Sequence, residues 1–329
     1  MLKVRSSWPL LATIALLTAA FGCGKGPTTP GGTTGAEREP GQVGQGLTNV
    51  LTSALGANPA GSSVFFKAPN DPAILLAPGP KDYAAAADSN MPQWLAFDLG
   101  AVRKVEAVSI TWWSEADRGL NFTVQGRKDS RAGWEALATV TDNSGAVWSQ
   151  EIRVAEIGQV RLEVTQATGQ GRTLIKKLQF FAAEGAPVKN VALVSAGLKV
   201  DSSSAFFKAP NDPAAMFTGK LSAPNSNAYA AGQADGLPDF VEFSLPSAAE
   251  VMAVGVHWYD DQNYAIEWAL EAKDGDLWKP VLTVTDGKEV HGFYLLDKPV
   301  TAQTFRLTVT KTAGQQRMLA RQLALYAAQ

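Results

Sequence analysis

Phe65-Phe-Lys-Ala-Pro-Asn-Asp-Pro-Ala73 recurs without a change as Phe206-Phe-Lys-Ala-Pro-Asn-Asp-Pro-Ala214. A nine-residue identity within one chain marks an internal repeat, and repeats are tested before any fold is assigned. The echo continues in register. Pro92-Gln-Trp-Leu-Ala-Phe-Asp-Leu99 is answered by Pro238-Asp-Phe-Val-Glu-Phe-Ser-Leu245, and Lys128-Asp129 with Trp134 by Lys273-Asp274 with Trp278. Thr139-Val-Thr-Asp142 returns as Thr283-Val-Thr-Asp286, Val160-Arg-Leu-Glu-Val-Thr165 as Phe305-Arg-Leu-Thr-Val-Thr310, and Arg172 as Arg317. The chain is therefore two copies of one domain, residues 46–184 and 188–329, meeting at Glu184-Gly-Ala-Pro-Val188.

Each copy reads as strands. Val160, Leu162 and Val164 alternate with Arg161, Glu163 and Thr165, the period of two expected of a strand with one buried face. Phe305, Leu307 and Val309 repeat the pattern, and Val108, Ile110 and Trp112 show it again. Turn chemistry separates these runs, as in Asp142-Asn-Ser-Gly145 and Asp286-Gly287. No long stretch carries a helical stripe. Short strands at regular spacing without intervening helices predict an all-β fold, two tandem jelly-roll-like β-sandwiches.

Composition narrows the chemistry. The chain has 329 residues, enough for about two domains of ordinary size. Lys and Arg (29) nearly balance Asp and Glu (31), so no global basic field points to nucleic acid. One cysteine excludes an internal disulfide and a Cys-rich metal site, and two histidines leave little for a metal cluster or a His-based triad. No nucleophile elbow, phosphate-cradling glycine loop or zinc-spaced histidine pair occurs in the sequence. These features predict a protein that is not an enzyme. The histidines are expected to be ordinary: His257 packed or surface-facing within a strand, His291 in a loop without a ligand cluster. The pairs Arg103-Lys104 and Lys176-Lys177 read as solvated strand edges.

The N-terminus reads as an address. Lys3 and Arg5 precede the apolar run Leu10–Phe21, which is shorter than the roughly 20 residues of a membrane span. Gly22 and the sole thiol, Cys23, follow directly, and residues 23–45 open with a Gly/Pro/Thr tract that cannot bury apolar surface. The arrangement resembles a bacterial lipoprotein signal. That resemblance implies removal of residues 1–22, lipidation of Cys23, and anchoring of the mature chain to a bacterial cell-envelope membrane. Gly24 in place of an aspartate implies the outer membrane or cell surface over the inner membrane.

The two copies resemble the coagulation factor 5/8 type C, or discoidin, domain, a galactose-binding-like sandwich. Ser62-Ser63 and Ser203-Ser204, each closely followed by Phe, are similar to the family's opening pair. Gln93-Trp-Leu-Ala-Phe-Asp-Leu-Gly100 is similar to its Trp–Ile–Glu–Val–Asp–Leu–Gly strand, and Ile110-Thr-Trp112, Phe122-Thr-Val-Gln125 and Val160-Arg-Leu-Glu-Val164 follow in the family's order. Many members hold a structural calcium beside an Asp-Gly pair. The counterparts here are Ala77-Pro-Gly79 and Thr218-Gly219, so the resemblance implies no cofactor unless Asp71 and Asp212 supply carboxylates instead. The second copy departs further, with Ser244 for Asp98 and Pro246 for Gly100.

Binding in such a domain is expected at loops on one end of the sandwich. The first loop offers Phe66, Lys67, Asn70 and Asp71, with Phe207, Lys208, Asn211 and Asp212 in the second copy. Its aromatic–cation pairs either point outward, toward a sugar face or a lipid headgroup layer, or fold inward over an Asn-Asp-Pro turn. The second loop offers Trp113, Glu115 and Arg118, with Tyr259, Asp260, Asp261 and Tyr264 as counterparts. A ring beside carboxylates, amides and a guanidinium suits stacking on a sugar with hydrogen bonds to its hydroxyls. A solvated hairpin with an inward-packed ring is the other reading. A third loop runs from Asp142 to Trp148, with Asp286 to Phe293 as its counterpart.

The expectation is a non-catalytic envelope lipoprotein that binds carbohydrate through two modules. The alternative is a protein-interaction or adhesion module, an accessory subunit of an envelope complex. Phospholipid contact through the Phe-Lys pairs is a third possibility.

Overall fold

Each copy folds as one antiparallel sheet of eight strands whose longest members bend through two layers. The structure, a computed structural model, describes residues 43–63, 72–77, 82–87, 90–183, 186–204, 212–219, 221, 228–231 and 236–329. Cys23, Phe66, Lys67, Asn70, Asp71, Phe207, Lys208 and Asn211 lie outside the described residues.

In the first module the strands are β1 (Thr48–Asn49), β2 (Asn58–Ser62), β3 (Tyr83–Ala84), β4 (Gln93–Trp112), β5 (Gly119–Arg127), β6 (Glu135–Val140), β7 (Val147–Ala167) and β8 (Leu174–Ala182). Strands β4 and β7 pair along nearly their whole length, with a register break between Asp98 and Arg103. Before the break, β4 and β7 are flanked by β2 on one side and by β5 and β6 on the other. Beyond it, β4 is flanked by β8, which in turn pairs with β1 and β3. The break thus turns one sheet into the two layers of a sandwich. Between them lie Phe97, Val108, Ile110, Trp112, Phe122, Val160, Leu162 and Val164, all buried. All but Phe97 and Phe122 are the period-two residues of the sequence pattern, and truncating any of the large ones costs about 2–5 kcal/mol.

The second module repeats the plan with β9 (Val188–Asn190), β10 (Lys199–Ser203), β11 (Tyr229–Ala230), β12 (Asp239–Trp258), β13 (Ala265–Asp274), β14 (Leu277–Val284), β15 (His291–Thr312) and β16 (Leu319–Ala328). The corresponding break falls between Ser244 and Ala249. Among the described residues the only helical turns are short 3-10 segments, such as Pro213–Phe217, where Asp212 caps the start by accepting from the Ala214 N–H at 2.8 Å. Both copies brace a loop with the same arginine: Arg172 donates to the Ala85 carbonyl (3.0 Å) and Arg317 to the Ala231 carbonyl (3.1 Å).

All described residues belong to one compact unit, and the two sandwiches touch directly. Arg103, buried, donates to the carbonyls of Leu55 (3.0 Å) and Ala186 (2.8 Å) and so ties the joint to the first module. That corrects its reading as a solvated strand edge. Phe293 and Tyr326, fully buried, form a small cluster with Ala253 and Ala324. Phe293 lies over Gly158 of the first module, and a Cβ there would approach the Phe293 ring to 2.7 Å and the Lys128 carbonyl to 2.3 Å. Only glycine leaves room for that contact. Ser130 and Phe293 exchange hydrogen bonds at 2.8 Å each, and Arg131 donates to the Leu295 carbonyl at 2.8 Å.

Candidate functional site

The loop end of the first module carries an aromatic ring in solvent. Trp112 and Trp113 are adjacent in β4 and just beyond it, so the alternation that buries Trp112 turns Trp113 outward, where it stays 39% exposed. The Lys176 ammonium stands 5.6 Å from its ring centroid. The loop that follows is held rigidly. Ser114 and Asp117 bond through side chains and backbone (3.0–3.3 Å), and the second Asp117 oxygen accepts from the Gln170 N–H at 3.0 Å. Arg118 donates through Nε to the Asn143 carbonyl (2.7 Å) and through Nη1 to the Glu115 carbonyl. Asn143 closes the third loop by donating to Gly119 and Gly145 (2.9 and 3.0 Å). Arg118 is therefore a strut between loops, and Glu115 contributes its backbone carbonyl while its side chain is exposed.

The same end of the second module does not face solvent freely. Tyr259, Asp260 and Asp261 line a cleft of about 660 Å³ whose opposite wall is the first module's Ala60–Ser63, Trp94, Ala96, Arg127, Trp134 and Arg161. Arg321, the counterpart of Lys176, sits 5.0 Å above the Tyr259 ring. Asp260 is occupied within its own loop, its Oδ1 accepting from Gln262 N–H (3.0 Å), Asn263 N–H and Asn263 Nδ2 (both 2.8 Å). Asp261 is exposed. Tyr264 is partly buried and packs against the second module's core. Asp212 is exposed and caps the turn at Pro213 through one carboxylate oxygen.

The floor of the cleft is a polar junction. His291 is the first residue of β15, not a loop residue apart from others, and its Nε2 donates to Asp98 Oδ1 of the first module at 2.9 Å. Asp98 is fully buried and also accepts from Gln159 Nε2 (2.8 Å) and, at 3.5 Å, from the Tyr326 hydroxyl. Burial first, and then the neighbouring Asp98 carboxylate, push the Tyr326 hydroxyl well above its ordinary range. Arg127, whose side chain is buried, forks onto Glu289 of the second module (2.7 and 2.5 Å) and donates through Nε to Gln159 (2.6 Å). His257 is buried 5.7 Å from the His291 ring, and desolvation with His291 nearby pushes it down to about 3, so it stays neutral.

Of the residues the sequence nominated, the structure gathers Tyr259, Asp260 and Asp261 in the cleft and Trp113, Glu115 and Arg118 at the loop end of the first module. It adds Trp94, Trp134 and Arg161, which the sequence read only as strand markers, Arg127 and Arg321, which it did not single out, and Glu289 from the third loop. Among the described residues no group of three or more His, Cys, Asp or Glu side chains clusters as a metal would require.

Residues 79–172, the heart of the first module with its Trp113 loop, match the F5/F8 type C family model described as a NedA-like, galactose-binding domain. No curated protein matches the chain. Among solved structures, a family 32 carbohydrate-binding module from Streptococcus pneumoniae EndoD is 21% identical, covering 42% of this chain and 99% of its own, with a TM-score of 0.38. The family 32 module of C. perfringens NanJ, solved in complex with galactose, is 12% identical over 42% of this chain and 98% of its own, TM-score 0.37. Allantoicase from Saccharomyces cerevisiae is 12% identical over 85% of this chain and 93% of its own, TM-score 0.36.

Proposed function

We propose that the protein is a non-catalytic carbohydrate binder, displayed on the bacterial cell envelope from a lipidated Cys23, with its primary sugar site at the loop end of the first module. The observation that carries this reading is Trp113: a large ring left 39% exposed on a loop fixed by hydrogen bonds, with a lysine over its face. A ring held in place loses little freedom when a sugar stacks on it, and Asp117, Glu115 and Lys176 surround it with acceptors and a donor. The match of residues 79–172 to a galactose-binding family model supports the same class of ligand. Binding proceeds without calcium in this reading, because neither copy keeps the Asp-Gly pair by which related domains hold it.

A glycan array on the folded full chain, run with calcium and with chelator, tests the proposal. Binding of galactose-type glycans in both conditions supports it. Silence across polysaccharides and cell-wall fragments, or a single dominant protein partner in crosslinking from intact cells, overturns it in favour of an interaction module. Acyl labelling in bacteria, lost in Cys23→Ala, tests the anchor.

A further inference from the structure

The two copies treat one arginine in opposite ways. In the second module Arg306 lies between Glu242 on β12 and Glu271 on β13, its direct cross-strand neighbours. Its guanidinium forks onto Glu271 (2.8 and 3.0 Å), reaches Glu242 at 3.8 Å, and stacks 4.6 Å above Trp278. In the first module the equivalent Arg161 stacks 4.8 Å above Trp134, but its cross-strand neighbours are Ala96 and Gln125. Both carboxylates have gone. Arg161 Nε donates to Gln125 at 2.6 Å, and its nearest carboxylate, Glu163, stands at 4.0 Å. Each ring also has a second cation, Arg127 at 4.3 Å from Trp134 and Lys273 at 5.7 Å from Trp278. The arginine that lost its acids is the one that lines the cleft, and Arg306 does not.

We infer that the cleft between the modules binds an acidic saccharide, a sugar whose carboxylate or sulfate reaches Arg161 over Ala96, from the side where Glu242 stands at Arg306. A guanidinium fork offers paired donors to such an anion, and the partly desolvated wall strengthens the contact. The volume of about 660 Å³ holds one or two sugar rings. Trp94, lying over Gly61 where a Cβ would meet its ring at 3.0 Å, and Tyr259 from the second module supply flanking faces for the ring. The inference takes the sugar ring from the proposed function, but its charge argument stands on the Arg161–Arg306 contrast alone, and its site is separate from Trp113.

The test is calorimetric titration of the full chain with a uronic-acid oligosaccharide, a sulfated oligosaccharide and a neutral galactoside. Gln125→Glu rebuilds in the first module the pair already present in the second, so it folds, and it is expected to weaken the acidic ligand at least tenfold. Arg161→Gln is expected to do the same, while Trp113→Ala leaves acidic binding within twofold. Affinity for the acidic ligand falls as salt rises. The uronate and sulfate arms show which anion fits, and either one lost in Gln125→Glu upholds the cleft. Acidic binding unchanged in both Gln125→Glu and Arg161→Gln overturns the inference even if the galactoside still binds, as does absence of any acidic binding. Loss of the galactoside alone in Trp113→Ala bears on the proposed function and not on the cleft.

Discussion

One loop end, built twice, has two fates. In the first module Trp113 and Lys176 face solvent; in the second, their counterparts Tyr259 and Arg321 face the flank of the first module across a cleft. The strands beneath are the same in order and nearly the same in length. What differs is the chemistry around the ends. Asp98 of the first module, replaced by Ser244 in the second, is buried and receives His291 from across the junction. Ser244 stays within its own module, donating to Asp201 at 2.5 Å and meeting Thr304 at 3.0 Å. Duplication supplied two equal sandwiches, and a few substitutions then made one the seat of the other.

The largest effect is expected from Asp98→Ala. It leaves His291, Gln159 and Tyr326 without their shared acceptor, and removing one member of a buried charged network costs about 3–5 kcal/mol. Ser244→Ala, the matched change in the second module, costs about 1 kcal/mol at most. Chemical denaturation of both variants reads the contrast; equal losses would erase it.

Acid is the next lever. His257, whose counterpart is Thr111, is held at about 3, below its unfolded value of about 6.5. The unfolded chain binds the extra proton between those values, so stability is complete above about pH 6.5 and declines by up to ~1.4 kcal/mol per pH unit below it. Denaturation midpoints from pH 7 to 4.5 are expected to fall more steeply for the parent protein than for His257→Gln. Parallel curves would place the acid sensitivity elsewhere.

Smaller changes concern the exposed end. Trp113→Ala is expected to weaken binding of a galactose-type ligand tenfold or more, about 1.4 kcal/mol, with the thermal midpoint moved by no more than a degree or two. Lys176→Ala removes an exposed cation–ring contact worth about 0.5–1 kcal/mol and lowers the same affinity only two- to fivefold. Titration calorimetry ranks the two. A Lys176 effect equal to that of Trp113 would mean charge, not stacking, holds the ligand.

The fold was legible because it rests on period-two alternation and on repetition, both local in sequence. Val160, Leu162 and Val164 are buried as their spacing requires, and the Asp142 turn adopts a left-handed φ of 55°. The loop ends were legible as candidates but not in their fates. Nothing local in Tyr259-Asp-Asp261 reveals that another module stands opposite. His291 looked isolated because its partner, Asp98, lies in the other copy. Arg161 and Arg306 occupy matching places in the repeat, and the exchange of Glu242 and Glu271 for Ala96 and Gln125 is visible on alignment. Its meaning depends on cross-strand register, which brings residues tens of positions apart to one arginine. The structural contacts of Tyr264 and Asp212 were hidden as well, because core packing and turn capping depend on how the chain folds around them.

A double-mutant cycle on Asp98→Ala and His291→Ala tests most directly whether the tandem copies act as one body. A coupling of about 1–3 kcal/mol in unfolding free energy is the predicted result. Additive losses, with no coupling beyond about 0.3 kcal/mol, would contradict it and return the chain to two independent modules on a string.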